Sequence, residues 1–550
     1  MTSWYISTRT ALSGYSNVKT DAACIEAIGN AFPILFMTVA ILISLTTISR
    51  MVEEDRGLIG TYKALGFTDR EIRRKYVIYA LLACIVGGIL GLILGFIVLP
   101  EIIFIVFGVM YLFTEYSLAF NWLYGIGSVV LFILGVVGAA IASCESELRH
   151  MPAMLMRPKA PMNGSRVLLE RVTPVWSKLS FLNKVTARNL FRYKKRLFMT
   201  LFGIAGCTAI LLTGYTIQDT VVKLLPLQYG TTYTFDFMVV SDDNEVLLEY
   251  LDDKDIRSYI NPMISTVKVI NEDGREENVQ LVVVSNEESL RGYINLVDRD
   301  GKKVTLEDGM VLSTINVAEV QGYDEGDMIT LQNLDLENAE VEITDIVMNY
   351  LGNCIYMTEN TYEDYFDEFE ANGAYVMLNK SVASQEAYAK ELTEKDHILS
   401  CASVADFLAN YDSVFYIIDM VVLIVITLAA ALAFTVLFTL STTNISERER
   451  ELATIKVLGF FDREVHLYVN KETLILTTLG ILLGMPLGKG MGIWLMSILK
   501  MPSIYFADYL APISYLYAVV ITIVFAIVVN TITDRSLDKI DPVEALKSIE

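Results

Sequence analysis

The sequence is poor in the residues that carry most enzyme chemistry. It holds 3 histidines and 6 cysteines among 550 residues, and His150, His397 and His466 lack the short spacing of a metal-binding motif. A Walker A loop, a nucleophile elbow and an HExxH helix are also missing from the sequence. We therefore expect no catalytic, metal-binding or cofactor-binding residue, and the chain is not predicted to be an enzyme.

Charged residues are scarce as well. They make up 20% of the chain, whereas apolar residues make up 53% and the mean hydropathy is +0.45. These values exceed those of ordinary soluble proteins. Several apolar runs approach or exceed the length of about 20 residues that crosses a bilayer. The sequence therefore predicts an α-helical polytopic membrane protein with about seven transmembrane helices, at residues 32–48, 76–99, 122–142, 197–217, 415–440, 474–494 and 515–532.

Cysteine usage does not indicate a disulfide framework. Cys84, Cys144 and Cys207 lie in or next to the apolar runs, where we interpret them as packing residues. A disulfide between Cys354 and Cys401 is an alternative that nothing in their spacing requires.

Charge is distributed unevenly along the chain. Residues 217–415 contain 40 acidic and 12 basic side chains, a balance of −28, whereas the whole chain carries −22. Basic loops mark the cytoplasmic side of a membrane, and here they are residues 50–75, 149–196, 448–471 and 535–547. All four loops lie on the cytoplasmic side of a bacterial cell membrane if the N-terminus is outside the cell and the C-terminus is inside it. Residues 217–415 then lie outside.

The pattern of residues 218–413 predicts an extracytoplasmic α+β domain. Short β-rich runs alternate with acidic turns, and Gly274, Gly301 and Gly326 punctuate them. The acidic clusters do not have the spacing of a calcium loop. The predicted strands are 235–240, 265–270, 279–284, 328–331 and 341–347, and the predicted helices are 361–370 and 384–395.

The most informative positive feature is an internal repeat. Residues 63–71 (KALGFTDRE) return at residues 456–464 (KVLGFFDRE) with an offset of 393 residues and no gap. Such symmetry is common in transporters, where two similar halves form one machine. The same offset relates Glu54 to Glu447, Thr61 to Thr454, and Gly87, Gly91 and Gly95 to Gly480, Gly484 and Gly488.

Each copy of the repeat predicts a short surface helix, a break and a transmembrane helix. In the first copy Gly66 is the predicted stop, and Thr68 with Glu71 forms a capping box. In the second copy Gly459 is the stop and Asp462 the N-cap. A lipid-bound surface helix is the alternative interpretation, but two copies in matched positions favour docking onto a partner. The glycine stripes downstream predict close helix packing.

Several of these segments resemble FtsX-like permeases. Residues 50–67 (RMVEEDRGLIGTYKALGF) and 447–460 (ERERELATIKVLGF) are similar to the cytosolic signature of that family. Residues 541–547 (DPVEALK) resemble its usual ending, echoed at 152–157 (PAMLMR). Further similarity lies at 184–196 (KVTARNLFRYKKR), which resembles the start of a repeat, and at 323–331 (YDEGDMITL), which resembles the external domain.

The resemblance implies a permease subunit of a MacB-type ABC transporter complex. In that family a full repeat comprises one span, an external domain and three further spans. The second repeat is complete here, whereas the first lacks its opening span and external domain. The implied organisation is an external segment (1–28), a first three-helix block (29–143) with a coupling helix (50–75), a cytoplasmic linker (144–196), a helix (197–217), the α+β domain (218–413), a second three-helix block (414–534) with a coupling helix (444–471), and a cytoplasmic tail (535–550).

By the same resemblance, the duplicated segments are coupling helices that sit on a dimer of cytosolic ABC ATPase subunits. ATP and Mg²⁺ would bind those subunits and not this chain. The other implied partners are the lipid bilayer and either a second permease copy or a missing N-terminal portion, and no nucleic acid is expected. The residues implied in coupling are Glu54, Thr61, Lys63, Leu65, Gly66, Phe67, Glu447, Thr454, Lys456, Leu458, Gly459 and Phe460.

Two functions are compatible with these features. The first is ATP-driven movement or export of an amphipathic substrate such as a peptide, a lipid or a lipoprotein. The second is mechanotransmission without transport, in which the external domain regulates a cell-wall hydrolase or senses an antimicrobial peptide. An intramembrane enzyme is disfavoured because the predicted spans contain no paired catalytic residues.

Overall fold

The computed structural model describes residues 13–156 and 194–538, together with 184 and 188, apart from short gaps. These gaps are 111–116, 118, 272–275, 287, 335, 367, 380–383, 448 and 499–502. Most of the predicted linker, the last part of the predicted tail and the 541–547 motif therefore lie outside the described residues. The described residues form two compact units.

Within the described residues, seven helices are long and apolar enough to cross a membrane. Each overlaps one of the seven predicted runs, so the predicted polytopic helical fold is confirmed. The qualifying stretches are Phe36–Glu54, Asp69–Ile105, Trp122–Leu148, Thr200–Thr232, Leu423–Thr442, Asp462–Ile498 and Pro512–Arg535.

The first copy of the repeat supplies three of these helices and two short ones. The helix at Asp69–Ile93 continues through a π-helical turn, Leu94–Val98, into the helix at Leu99–Met110. The helices are α1 (Ser13–Glu54), α2 (Arg56–Ala64), α3 (Asp69–Ile93), α4 (Leu99–Met110), α5 (Trp122–Leu148) and α6 (Pro152–Leu155).

The second copy is preceded by an additional long helix, α7 (Lys194–Leu227), which a π-helical turn extends to Thr232. The α-helical part ends at Leu227, ten residues beyond the predicted span 197–217. The other helices of this part are α12 (Val404–Glu447), α13 (Glu449–Val457), α14 (Asp462–Ile498) and α15 (Pro512–Asp538).

Helix α14 packs against α7 along its glycine stripe. A Cβ added at Gly484 would lie 2.7 Å from Cβ of Thr208, and one at Gly488 would lie 2.8 Å from Cβ of Leu212. Gly480 is equally close to Ile204. Because lipid tails are as apolar as the side chains, such contacts depend on close van der Waals packing, which small residues permit. Gly480, Gly484 and Gly488 thus lie at a helix contact.

The stripe of the first copy has a different environment. No described residue lies within 4 Å of a Cβ added at Gly87, Gly91 or Gly95. Helix α3 instead contacts α5 through a neighbouring residue, Gly88, which faces Val129. The packing role of the first stripe therefore stays a prediction.

The α+β domain contains two sheets. A four-stranded antiparallel sheet has the order β11-β1-β10-β2, and a seven-stranded mixed sheet has the order β7-β6-β3-β4-β9-β5-β8. The strands are β1 (Phe237–Ser241), β2 (Ile256–Ile260), β3 (Met263–Ile270), β4 (Glu276–Val284), β5 (Leu312–Thr314), β6 (Met328–Gln332), β7 (Asn338–Glu342), β8 (Asp345–Val347), β9 (Cys354–Thr358), β10 (Gly373–Leu378) and β11 (Ile398–Ser403).

Four described helices complete this domain, and the core cluster around β3, β4 and β9 is mostly aliphatic. Val269, Leu281 and Ile355 on neighbouring strands are fully buried. Alternation of buried and exposed residues along β7 matches a strand with one face on the core. The helices are α8 (Asn244–Leu251), α9 (Ile315–Gln321), α10 (Glu359–Glu363) and α11 (Gln385–Thr393).

The domain corrects three details of the prediction. The predicted strand 341–347 is two strands, because the chain leaves its pairing with β6 after Glu342 and pairs with β5 from Asp345. The predicted helix 361–370 is the short α10. Cys354 and Cys401 form no disulfide with each other, so the disulfide alternative is not realised.

The two glycine stripes allow a matched test of packing. We expect Gly484→Val to destabilise the protein by about 1–3 kcal/mol or more, since the added atoms must displace Thr208 and the Ala205 carbonyl. Gly91→Val occupies the corresponding position, has open space around it, and should change stability much less. Thermal unfolding of the purified protein in detergent compares the two. Equal destabilisation by both would contradict the packing described here.

Candidate functional site

The two predicted coupling segments have the same backbone geometry. Gly66 and Gly459 both have φ of +92°. In each copy the glycine N–H donates to the carbonyl three residues earlier, and the next N–H donates to the carbonyl five residues earlier. This pattern is the Schellman motif, which needs a left-handed residue that glycine adopts without a Cβ clash. The repeated sequence therefore forms a repeated, sharply terminated helix end.

A lysine–aspartate ion pair closes each turn. Nζ of Lys63 lies 3.0 Å from Oδ1 of Asp69, and Nζ of Lys456 lies 3.0 Å from Oδ1 of Asp462. Both lysine side chains are largely buried. Lys63 also donates to the backbone carbonyls of Leu148 and His150. The family resemblance assigns these two lysines a role in coupling. In the structure they make contacts within the chain that stabilise the turn.

The helix after the turn begins differently in the two copies. In the first, the predicted capping box is confirmed: the Glu71 N–H donates to Oγ1 of Thr68, and the Thr68 N–H donates to Oε2 of Glu71 at 2.9 Å. In the second, the prediction of Asp462 as N-cap is wrong. Phe461 takes that position because its carbonyl accepts the first helical bonds, and its N–H donates to the Glu464 carboxylate.

The turns present apolar side chains outward at matched positions. Leu65 is 70% exposed and Phe67 50%, while their counterparts Leu458 and Phe460 are 72% and 48% exposed. Phe461 adds a further exposed ring in the second copy. Large exposed side chains on a turn whose conformation is fixed by a glycine are suited to insertion into a groove of a partner.

The opposite face of the first segment is anchored in the protein. Ile59 is buried, and Gly60 lies so close to α6 that an added Cβ would be 3.0 Å from Cβ of Leu155. Arg56 lies 3.4 Å from the Glu147 carboxylate at the end of α5. The segment is therefore held on one side and exposed on the other.

The remaining predicted coupling residues are less distinctive. Glu54 forms an exposed ion pair with Arg50, and the Thr61 hydroxyl donates to the Gly57 carbonyl. Thr454 is exposed. The side chain of Glu447 lies outside the described residues.

A second feature lies in the unit that contains the α+β domain, at residues 349–353, which we call the junction loop. The buried side chain of Gln228, at the end of α7, accepts hydrogen bonds from the N–H groups of Tyr350 and Leu351 at 2.9 and 3.1 Å. Its amide nitrogen donates to Oδ1 of Asn349 at 2.7 Å. One glutamine thus joins the junction loop to the helix that leads into the domain.

The segment that follows α14 also contacts the junction loop. Ile504 forms a β-bridge with Leu351, and the Tyr505 N–H donates to the Tyr350 carbonyl at 2.9 Å. The Tyr505 ring packs on the core of the seven-stranded sheet, and burial raises the pKa of its hydroxyl. The junction loop therefore contacts Gln228, which follows α7 in the chain, and residues 504–505, which follow α14.

Sequence reasoning missed three features of the structure. Gln228 and residues 503–505 carry no local signal, because their partners are distant in the chain. Glu472, a fully buried acid in α14, was also missed. A signal for it exists: the 393-residue offset pairs it with Tyr79, so the repeat departs from its own pattern there.

The comparisons with known proteins agree with the repeat. Residues 30–148 and 423–533 match the family model FtsX-like permease C-terminal. No curated protein matches the chain. The periplasmic region of MacB from Actinobacillus actinomycetemcomitans is 10% identical, with 33% of this chain and 94% of that chain covered and a TM-score of 0.23. The extracellular domain of the noncanonic ABC-type transporter YknZ from Gram-positive bacteria is 11% identical, with 30% and 97% covered and a TM-score of 0.20.

The two matched segments coincide with the two copies of the repeat. Both membrane blocks of this chain match the family model of the FtsX-like permeases. The family resemblance seen in the sequence is thereby confirmed for these two segments.

Gln228 offers a test of the junction. Gln228→Leu leaves the buried N–H groups of Tyr350 and Leu351 without their acceptor, and each unsatisfied group costs about 1–3 kcal/mol. We expect faster hydrogen exchange at these two amides and a lower unfolding temperature. Gln332→Leu is the control, because its amide bonds Asn338 at the surface. Unchanged exchange in Gln228→Leu would contradict the assigned role.

Proposed function

We propose that this chain is the permease subunit of an ABC transporter complex, coupled to a dimer of separate cytosolic ATPase subunits. The observation that carries the proposal is the pair of turns at residues 65–67 and 458–460, which we call the coupling turns. Their glycines have the same φ, and their leucine and phenylalanine side chains are exposed to matching extents. Two equivalent docking elements suit a partner that is itself a dimer.

The charge pattern supports an orientation for this complex. Both coupling segments lie in basic loops, which favours the cytoplasmic side, whereas the acidic α+β domain favours the outer side. The N-terminus is then outside and the C-terminus inside a bacterial cell membrane. ATP and Mg²⁺ bind the partner subunits in this arrangement.

The proposed mechanism transmits movement through rigid helices. Closure of the two ATPase subunits displaces the coupling turns, and α14 begins directly after the second turn. Helix α14 packs against α7 at the glycine contact, and α7 leads along the chain to Gln228, which bonds the junction loop. Coupling of this kind requires an element with two discrete arrangements that both sites bias.

Movement or export of an amphipathic peptide, lipid or lipoprotein is the leading function for such a complex. The second candidate is mechanotransmission without transport, and the junction loop favours it, since it bonds to Gln228 and Tyr505, which follow α7 and α14 in the chain. ATP-dependent efflux from proteoliposomes that contain the purified complex separates the two candidates. Efflux supports transport, and ATP hydrolysis without efflux of any tested amphipathic peptide or lipid supports mechanotransmission.

The exposed turn residues provide the test of ATPase docking. We expect the double variant Leu65→Asp with Leu458→Asp to lose the ATP hydrolysis activity that copurifies with the tagged protein from native membranes, because carboxylates cannot enter an apolar groove without a large desolvation cost. Leu334→Asp is the control, since Leu334 is also 70% exposed but lies in the α+β domain. Retention of ATPase activity by the double variant, or its absence from the parent preparation, would refute the proposal.

Gly459 tests coupling after docking. Proline at this position lacks the N–H that bonds the Lys456 carbonyl and cannot adopt a φ of +92°. We expect Gly459→Pro to insert normally but to separate ATP hydrolysis from the movement of substrate or of the α+β domain. Gly490→Pro is unsuitable as a control because it would break α14, so Gly490→Ala, which has open space around it, serves instead. Parent-like coupling in Gly459→Pro would exclude a role for this turn.

A further inference from the structure

Each copy of the repeat contains a cavity between its short surface helix and the start of the following transmembrane helix. The cavity of the first copy has a volume of about 420 Å³, and that of the second about 950 Å³. Sites for small ligands commonly have volumes of about 300–1,000 Å³. In the second copy α15 supplies a further wall. Both cavities are therefore large enough to hold a ligand or part of one.

The two cavities occupy the same place in the repeat. The 393-residue offset converts six of the seven positions that line the first cavity into positions that line the second. Only the phenylalanine and the glutamate are identical in the two copies, so the recurrence results from the shared backbone path. The six pairs are Tyr62 with Ile455, Phe67 with Phe460, Glu71 with Glu464, Ile72 with Val465, Arg74 with Leu467, and Lys75 with Tyr468.

The walls of the second cavity extend into the transmembrane helices. Leu474 lies twelve residues after Asp462, where α14 begins, and this is about 18 Å along the helix axis. Ile527 of α15 lines the same cavity, and both residues belong to stretches that can cross a membrane. A cytosolic protein does not reach this depth. The occupant therefore has a part that enters the bilayer.

Each cavity also contains a cation without a partner among the described residues. Arg74 lines the first cavity and Lys471 the second, and both side chains are exposed. Neither forms a hydrogen bond or an ion pair with any residue in the described part of the chain. Lys75 differs, since its Nζ lies 2.7 Å from Oδ2 of Asp55.

The carboxylates in the same walls are bound by donors of this chain. Each accepts a hydrogen bond from a nearby backbone N–H or side-chain amide, so the charges that remain without a partner are positive. An anionic group complements them. The pairs of acceptor and donor residues are Glu71 with Thr68, Glu464 with Phe461, and Asp534 with Asn470.

We propose that each cavity binds one anionic phospholipid of the cytoplasmic leaflet. Its phosphate lies at Arg74 or Lys471, and part of an acyl chain covers the apolar wall. Basic pockets between transmembrane helices on the cytoplasmic side bind such head groups. A free phosphate would pair with the cation but leave the apolar wall uncovered. The choice of leaflet rests on the orientation proposed above, whereas the chemistry of the ligand does not.

Native mass spectrometry of the purified full chain tests the two sites separately. In detergent with equal amounts of phosphatidylglycerol and phosphatidylcholine, we expect the parent to retain up to two molecules of phosphatidylglycerol in preference. Arg74→Gln and Lys471→Gln should each lower the retention of one molecule about fivefold, which corresponds to about 1 kcal/mol per basic residue. The double variant should lose both. Lys489→Gln is the control, because Lys489 is also an exposed lysine of α14 but does not line the cavity.

The apolar wall has a variant of its own. Leu467→Trp fills part of the second cavity without changing its charge, so it should lower the retention of phosphatidylglycerol there. Leu482→Trp is the control, since Leu482 is 59% exposed on α14, close to the 64% of Leu467, and lies outside the cavity. Unchanged retention in Leu467→Trp, together with displacement of the lipid by inorganic phosphate, would show that the sites bind phosphate alone and would overturn the lipid assignment.

Further outcomes would also overturn the proposal. These are equal retention of phosphatidylglycerol by the parent and the double variant, and equal retention of phosphatidylcholine by the parent. Lipid binding at the second site only after removal of residues 539–550 would assign that cavity to the C-terminal tail. Thermal unfolding of each variant excludes misfolding as the cause of lost retention. Lipid retention is measured without ATP hydrolysis, so its failure and a failure of ATPase docking are distinguishable.

Discussion

The close approach of α7 to α14 is the contact on which the membrane part of the second repeat depends. In lipid no hydrophobic force draws two apolar helices together, so the contact has to come from backbone proximity. Glycine every fourth residue provides a flat face, and α7 lies along it for about three turns. This contact also places the helix that enters the α+β domain beside the helix that leaves the second coupling turn.

The coupling turns show how a short sequence forms a stiff element. A nine-residue helix alone is marginal in water, yet each copy ends in a left-handed glycine and is closed by a lysine–aspartate pair. In the first copy, α6 and the end of α5 hold the inner face. The family resemblance predicted partner contacts for the two lysines, but in the structure they stabilise the turn. The leucine and phenylalanine side chains remain exposed.

Local features of this fold were predictable from the sequence, whereas features that join distant segments were not. The seven apolar helices, the Gly66 and Gly459 stops and the Thr68 capping box each depend on neighbouring residues. Asp462 was assigned wrongly because a strong N-cap residue lies one position after the phenylalanine that takes its place. Gln228 and Ile504 gave no signal, since their partners near residue 350 are more than 100 residues away in the chain.

Gln228 also limits which residues can be accepted at its position. Its amide both accepts from two backbone N–H groups and donates to Asn349. Glutamate would keep the acceptors but lose the donor and bring a charge into a buried site, and methionine would fill the space without either function. Natural variation here should therefore be confined to glutamine unless residue 349 changes at the same time, a covariation that sequences of close homologues would reveal.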